Sequence, residues 1–182
     1  MARKANIFKA ELSLADIDRN VYETFSLTIA QHPSENDERM MVRLFAYLLF
    51  ADAHLEFGRG LSIDDEPDLW QKDLTGAIDL WISVGQLDVR WLRKAAGRAR
   101  RVVVLSYGDR AADVWWEQNR SVLSALKNLT VLRLSGADAA ALATLVGRSM
   151  SLQCTIQEGE ALIAHDNGSV RVAPAVLQRL GV

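Results

Sequence analysis

Apolar and polar residues alternate at the start of the chain. The alternation runs over residues 5–14 and returns over residues 21–30, with the polar stretch 16–20 between them. A period of two residues is typical of a strand with one buried face. Two such segments around a short polar connection predict a β-hairpin.

The pattern changes to a helical one after Gln31. Pro33 and Ser34 provide a helix start, and the acids Glu35, Asp37 and Glu38 suit a first helical turn. The apolar residues that follow, up to Phe50, predict a helix of about four turns. Because this helix is apolar on every side over residues 44–50, we expect it to be buried.

The middle of the chain predicts a second hairpin. Strands are expected at 68–74 and 78–84, joined across residues 75–77, with a short additional strand near 55–58 and a loop that begins at Arg59-Gly60. In the second strand Asp79, Trp81 and Ser83 share one face, because successive side chains alternate across a strand.

Helical and strand patterns alternate from residue 86 onward. The predicted elements are a helix at 88–100, a strand at 102–107, a helix at 109–126, a strand at 129–134 and a helix at 138–148. Repeated β-α-β units imply a parallel or mixed sheet covered by helices. Short strands with turns at 158–159 and Asn167-Gly168 predict a small C-terminal β-meander. The predicted fold class is therefore α/β or α+β.

Length and composition fit one domain spanning residues 1–182. The chain has 182 residues and only three prolines, and no linker or low-complexity tract divides it. Its single cysteine cannot form an intramolecular disulfide, so we expect a cytoplasmic protein. The longest apolar run, residues 44–51, is far shorter than the roughly 20 residues of a membrane span, so no membrane association is expected.

The net charge of −2 hides a strong local asymmetry. Residues 52–79 contain eight acids and two bases, a net charge of −6, whereas residues 87–101 contain six bases and one acid, a net charge of +5. The acids of the first segment are Asp52, Glu56, Asp64, Asp65, Glu66, Asp68, Asp73 and Asp79. Candidate chemistry is therefore concentrated in the middle of the chain.

The basic segment predicts a cationic helix face. At 100° per residue its cations fall on one arc, opposite the apolar residues; they are Arg90, Arg93, Lys94, Arg98, Arg100 and Arg101. Such a face neutralises phosphates, and we take Arg90, Arg93, Lys94 and Arg98 as the candidate nucleic-acid-binding residues. The alternative is an ordinary solvated helix face.

The acidic segment offers a candidate metal site. Asp68 and Asp79 lie on adjacent predicted strands and would share a Mg²⁺ ion if the hairpin register placed them on the same face. Sequence alone does not determine that register, so ordinary strand and loop aspartates remain the alternative. The chain contains no phosphate-binding loop or dinucleotide fingerprint, so no nucleotide cofactor is expected.

Several long segments of the chain resemble the bacterial YaeQ family. They are HPSENDERMMVR from His32, LEFGRGLS from Leu55, DDEPDLWQKDLTG from Asp64, DLWISVGQ from Asp79 and GDRAADVWWEQ from Gly108. The resemblance implies a variant of the PD-(D/E)XK, restriction-endonuclease-like fold, with an αβββαβ core and a mixed sheet flanked by helices. The elements predicted independently between residues 35 and 107 follow that order.

The resemblance also implies a phosphodiester-cleaving site with catalytic Glu38, Asp68 and Asp79. Pro67-Asp68 supplies the PD motif, and the mechanism of the PD-(D/E)XK superfamily is metal-assisted in-line attack. The (D/E)XK part of the motif is incomplete. Trp81 stands where the lysine belongs, and Ser83 stands where relatives often carry an acid. Gln86, Lys72 or Lys94 are the candidates to replace that lysine.

Three functions remain open at this point. One is a Mg²⁺-dependent nuclease with a displaced catalytic Lys or Gln. A second is a nucleic-acid-binding protein that keeps the fold and the basic face but has a degenerate active-site motif. The third is a module that binds a protein partner through its complementary acidic and basic faces.

Overall fold

The computed structural model describes residues 4–59, 65–166 and 168–180. Gly60 of the predicted loop, Asp64 of the acidic segment and Asn167 of the predicted turn lie outside these ranges. The fold is mixed α+β, with two sheets and four helices in the part of the chain that is described.

The first sheet combines the N-terminal hairpin with three strands from the C-terminal part of the chain. Its strands are ordered β10-β9-β8-β1-β2. They are β1 (Asn6–Asp16), β2 (Val21–Gln31), β8 (Ser149–Gln157), β9 (Glu160–His165) and β10 (Gly168–Val172). Strands β1 and β2 form the predicted antiparallel hairpin, and β8 to β10 form the predicted meander. The two parts are joined because β1 pairs in parallel with β8.

The second sheet carries the middle of the chain and also its last strand, in the order β11-β7-β6-β5-β4-β3. Its strands are β3 (Leu55–Phe57), β4 (Leu69–Lys72), β5 (Ile78–Val84), β6 (Ala99–Tyr107), β7 (Leu129–Leu134) and β11 (Ala175–Gln178). Strands β5, β6 and β7 are parallel, while β3, β4 and β11 run antiparallel to their neighbours.

The helices divide the molecule into layers. They are α1 (Asp37–Phe50), α2 (Val89–Arg98), α3 (Arg110–Leu123) and α4 (Gly136–Ala143). Helices α1 and α4 pack between the two sheets in the larger hydrophobic core, and α1 is buried from Met40 to Leu48. Helices α2 and α3 cover the other face of the second sheet. Among the described residues, no helix has the length and hydropathy needed to cross a membrane.

The helix α2 is shorter than predicted at its C-terminal end. It ends at Arg98, and Ala99 already pairs with Ile78 as the first residue of β6. Arg100 and Arg101 therefore lie on a strand and do not extend the basic face of the helix. Alanine and arginine favour helices, but pairing with β5 overrides that local preference here.

Gly97 gives a direct test of helix stability. It lies exposed in the last turn of α2, its φ is outside the left-handed region, and a Cβ built there meets no atom within 4 Å. We expect Gly97→Ala to raise the free energy of unfolding by about 0.5 kcal/mol, because alanine loses less backbone entropy on folding. Urea denaturation checks this, and a loss of stability would contradict it.

Candidate functional site

The PD motif lies where β4 begins. Leu69 pairs with Ile82, which places Asp68 beside Ser83 and Val84 at the end of β5. Asp68 Oδ2 accepts a hydrogen bond from the Val84 backbone N–H at 2.7 Å, so the carboxylate is fixed at this end of the hairpin.

Asp79 lies at the opposite end of the same hairpin. The pairing shifts between Gln71 and Lys72, which leaves Asp79 in the irregular part of β5 next to the turn. It forms an ion pair with Arg100 at 2.9 Å. Four residues along a strand separate it from Ser83, roughly 13 Å. The hairpin register therefore does not bring Asp68 and Asp79 to one ion.

Helix α1 supplies a guanidinium to Asp68. Arg39 Nη2 donates to Asp68 Oδ1 at 2.8 Å, and its Nη1 donates to Glu35 Oε1 at 2.9 Å. Glu35 is buried and also accepts two hydrogen bonds from Arg43, at 2.7 and 2.8 Å. Burial alone would lower the pKa of Arg39, but the carboxylates of Asp68 and Glu35 outweigh it and raise that pKa above its usual value.

A cleft of about 190 Å³ opens between this end of the hairpin and helix α2. Three cations, two carboxylates and two tryptophans are among the residues that line it. Those side chains are Arg39, Lys94, Arg98, Glu66, Asp68, Trp81 and Trp91. Ser83 also lies on its wall, where its Oγ accepts a hydrogen bond from Trp81 Nε1 at 3.0 Å. The cleft therefore combines fixed positive charge with aromatic surface.

One face of α2 forms a wall of the cleft. Trp91, Lys94 and Arg98 lie three and then four residues apart, which aligns them along a helix, and all three line the cleft. Arg90 and Arg93 are exposed but do not line it. The structure thus brings two of the four candidate nucleic-acid-binding residues to the same cleft as Asp68.

Lys94 and Arg98 converge on the side chain of Asp65. Lys94 Nζ forms a hydrogen-bonded ion pair with Asp65 Oδ1, and Arg98 Nη1 lies 3.9 Å from the same oxygen. The hydrogen bond from Lys94 lowers the pKa of Asp65, and the charges of Lys94 and Arg98 act in the same direction. The Asp65 side chain is 63% exposed, so water and solutes reach this pair of cations.

The candidate replacements for the missing lysine occupy different places. Lys72 lies at the far end of β4, with Nζ 3.5 Å from the centre of the Trp70 ring. Gln86 donates through Nε2 to Ser106 Oγ at 3.0 Å and to the Tyr107 carbonyl at 2.7 Å, away from the cleft. Of the three candidates, Lys94 alone lines the cleft.

Glu38 lies half-buried in the first turn of α1, outside the lining of the cleft. Its carboxylate acts on Tyr107, whose pKa is raised by burial and, more weakly, by the charge of Glu38. Glu38 therefore does not line the cleft, and Asp68 is paired instead with Arg39 from the same helix.

The donor set of the cleft does not fit a resident Mg²⁺ ion. Mg²⁺ takes oxygen ligands, usually from one or two carboxylates and several waters. Here Arg39 already neutralises Asp68, Glu66 accepts from the Arg59 backbone at 3.1 Å, and Ser83 contributes no carboxylate. Within the described ranges, no group of three or more His, Cys, Asp or Glu side chains is arranged to hold a metal.

Sequence reasoning did not identify Arg39, Trp91 or Asp65 as site residues. A signal existed for the first two. Arg39 lies four residues after Glu35, the spacing of ion pairs along a helix, and Trp91 shares a helix face with Lys94 and Arg98. Asp65 gave no signal, because its contact with α2 depends on how the chain folds back onto that helix.

Comparisons with known proteins agree on one family. A family profile described as "YaeQ protein" matches residues 1–174. The "Uncharacterized protein YaeQ" of Escherichia coli (strain K12) is 44% identical over 172 residues, 94% of this chain and 95% of the relative. The crystal structure of the YaeQ protein from Xanthomonas axonopodis pv. citri has a TM-score of 0.94 and 49% identity, covering 96% of this chain and 98% of that one. The YaeQ protein from Pseudomonas syringae gives a TM-score of 0.92 and 38% identity, covering 96% and 97%.

Proposed function

The chain belongs to the YaeQ protein family, and we propose that it binds nucleic acid by holding a backbone phosphate between Lys94 and Arg98, with no metal ion resident in the cleft. The observation that carries this proposal is the convergence of these two cations on Asp65: Lys94 Nζ pairs with Oδ1 of its carboxylate, and Arg98 Nη1 lies 3.9 Å from the same oxygen while it donates to the Asp65 backbone carbonyl at 3.2 Å. Two cations that meet on one oxyanion are spaced to meet on a phosphate oxygen as well.

The Asp65 contact is weak enough to be exchanged. Ion pairs between exposed side chains contribute about 0–1 kcal/mol, because water and salt screen them. Lys94, Arg98 and Asp65 all have more than a third of their side chains exposed. A phosphodiester that enters the cleft therefore replaces one anion by another, and the two cations keep a partner throughout.

Arg39 supports the same function from the other side of the cleft. Its guanidinium neutralises Asp68 and is anchored by Glu35, so the acid of the PD motif does not repel an approaching phosphate. Asp68 in turn fixes the end of β5 through the Val84 N–H. These residues therefore let anions enter the cleft without repulsion from Asp68, and they do so without a metal ion.

A relationship to PD-(D/E)XK nucleases is part of this proposal. Two features support it: the order α1-β3-β4-β5-α2-β6, and the position of Pro67-Asp68 where the central hairpin begins. In this chain Ser83 lies beside Asp68 without a second carboxylate. We therefore propose that phosphate binding is retained and that hydrolysis is not.

Charge reversal on α2 tests the proposal. We expect Lys94→Glu to weaken binding of a labelled oligonucleotide about tenfold and to make the plot of log K against log salt shallower by about one unit, because one phosphate contact is lost. Arg93→Glu is the matched control, since it makes the same charge change on the same helix at an exposed position off the cleft. Fluorescence anisotropy over a salt series measures both quantities.

Two outcomes would overturn the proposal. Equal weakening by Lys94→Glu and Arg93→Glu would show that only the general charge of the helix matters. Cleavage of the oligonucleotide in Mg²⁺ or Mn²⁺ that disappears in Asp68→Asn would identify a nuclease instead. A third variant, Asp65→Asn, is expected to strengthen binding of the oligonucleotide, because it removes the carboxylate that competes with the phosphate for Lys94 and Arg98.

A further inference from the structure

We infer that the cleft selects unpaired nucleic acid, with one base stacked on Trp91 and a neighbouring phosphate held by Lys94 and Arg98. This inference rests on the proposed function and names its substrate class. The ligand chemistry is a nucleobase with at least one free face, attached to a sugar-phosphate backbone.

Trp91 is more exposed than the other four tryptophans of the chain, of which Trp70 and Trp116 are half-buried. Trp81 and Trp115 are buried and donate hydrogen bonds to Ser83 and Leu87. Trp91 is 39% exposed although it lines the cleft. A large aromatic ring held at the wall of a cleft that also carries cations offers a flat apolar surface on which any base can stack.

The charges beside Trp91 match the rest of a nucleotide. Lys94 Nζ lies over the Trp91 ring, 5.2 Å from the ring centre. The two residues are three positions apart, about 4.5 Å along the helix axis. A base on Trp91 therefore has its own backbone within reach of Lys94, and Arg98 lies one further turn along the same face. Aromatic and cationic side chains on one track are typical of single-strand binding surfaces.

Trp81 also lines the cleft, but its ring is not available for stacking with a base. Its ring is buried, with the Arg98 guanidinium 5.3 Å from the ring centre and the Trp70 ring packed edge-on at 6.3 Å. Trp81 therefore supports Arg98 in its position facing the cleft and is not free to stack. One base, on Trp91, is the expected stacked contact in this part of the cleft.

A duplex cannot make the contact with Trp91. In double-stranded nucleic acid both faces of each base are stacked on neighbours, and extrusion of a base costs a few kcal/mol. A duplex would therefore gain only the phosphate contacts with Lys94 and Arg98. The wild-type protein is expected to bind a single strand more tightly than the matching duplex.

Substitution of Trp91 separates stacking from charge. We expect Trp91→Ala to weaken binding of an oligodeoxythymidine strand about tenfold and to leave binding of its duplex with oligodeoxyadenosine unchanged. Trp91→Phe keeps an aromatic face and should retain most of the single-strand affinity. Leu74→Ala, which truncates a fully exposed leucine at the hairpin turn outside the cleft, is the control and should change neither affinity.

The outcomes distinguish this inference from the function on which it rests. Equal loss of strand and duplex binding in Trp91→Ala, or no loss of either, would overturn the stacking role while the Lys94 result still stands. Failure of the wild type to bind any nucleic acid would overturn the proposed function itself. Oligodeoxyuridine and oligouridine strands, which differ only in the sugar, show in the same assay whether the preferred backbone is deoxyribose or ribose. Quenching of tryptophan emission that is lost in Trp91→Phe would locate the stacked base.

Discussion

Replacement of Glu35 by glutamine is expected to destabilise the protein by about 3–5 kcal/mol, a large part of the stability of a domain of this size. Glu35 is the buried anion on which two arginines of α1 depend. Its carboxylate accepts hydrogen bonds from Arg43 Nε, Arg43 Nη2 and Arg39 Nη1, all within 2.9 Å.

The loss of stability arises because Arg43 remains buried and charged after its anionic partner is removed. Its side chain is 4% exposed, so its guanidinium has no water to compensate for a lost anion. Glutamine has nearly the same shape and still offers an acceptor oxygen, but it carries no charge. Removal of one partner of a buried ion pair leaves an uncompensated charge in the interior, which is far more costly than loss of the pair as a whole.

An exposed pair on α3 provides the control for Glu35→Gln. Glu117 lies 3.5 Å from Arg120, and each side chain is 61% exposed. Glu117→Gln should therefore change the free energy of unfolding by less than about 0.5 kcal/mol. Urea denaturation measures both variants, and a loss below about 1 kcal/mol for Glu35→Gln would contradict the assigned role of the buried network.

The sequence predicted those parts of the fold that depend on local pattern. Strand β7 occupies residues 129–134 as expected, and α1 is the buried helix that its apolar residues indicate. The parallel pairing of β1 with β8, in which Lys9 lies opposite Ser149, was not predictable in this way. Alternation identifies a strand and its buried face, but it carries no information about a partner some 140 residues away.

Prediction of the candidate site from the sequence has the same limit: local patterns identify elements but not the contacts between them. The charge pattern predicted candidate chemistry in the hairpin and α2, and the structure places Asp68, Lys94 and Arg98 in one cleft there. The pairing of Asp68 with Asp79 depended on register, and the shift between Gln71 and Lys72 is a feature of the folded hairpin that no local preference indicates. Arg39 reaches Asp68 from a different element, 29 residues earlier.

Gly58→Ala is expected to destabilise the protein by about 3 kcal/mol and to displace Asp68. Gly58 follows β3 directly and passes unusually close to the PD motif. A Cβ built on Gly58 would lie 2.0 Å from the carbonyl oxygen of Pro67, whereas real Cβ contacts essentially never fall below 3.0 Å. The obstacle is backbone, so no side-chain rotation relieves it.

The same substitution breaks a hydrogen bond that fixes the motif. The Gly58 backbone N–H donates to the Asp68 carbonyl at 2.9 Å, and separation of the two segments to admit a methyl group lengthens that bond. Asp68 would then lose its alignment with the Val84 N–H at the other side of the hairpin. Faster hydrogen exchange at the Val84 amide is the expected signature, because its acceptor moves away.

Gly97→Ala separates the effect of this close approach from the general effect of a glycine-to-alanine change. Both substitutions lower the conformational entropy of the unfolded chain by the same amount. Gly97 has open space around it, however, and Gly58 does not. The two substitutions should therefore shift the urea midpoint in opposite directions. If Gly58→Ala matched Gly97→Ala in stability and left exchange at Val84 unchanged, contact with the Pro67 carbonyl would not be what holds Asp68 in the cleft.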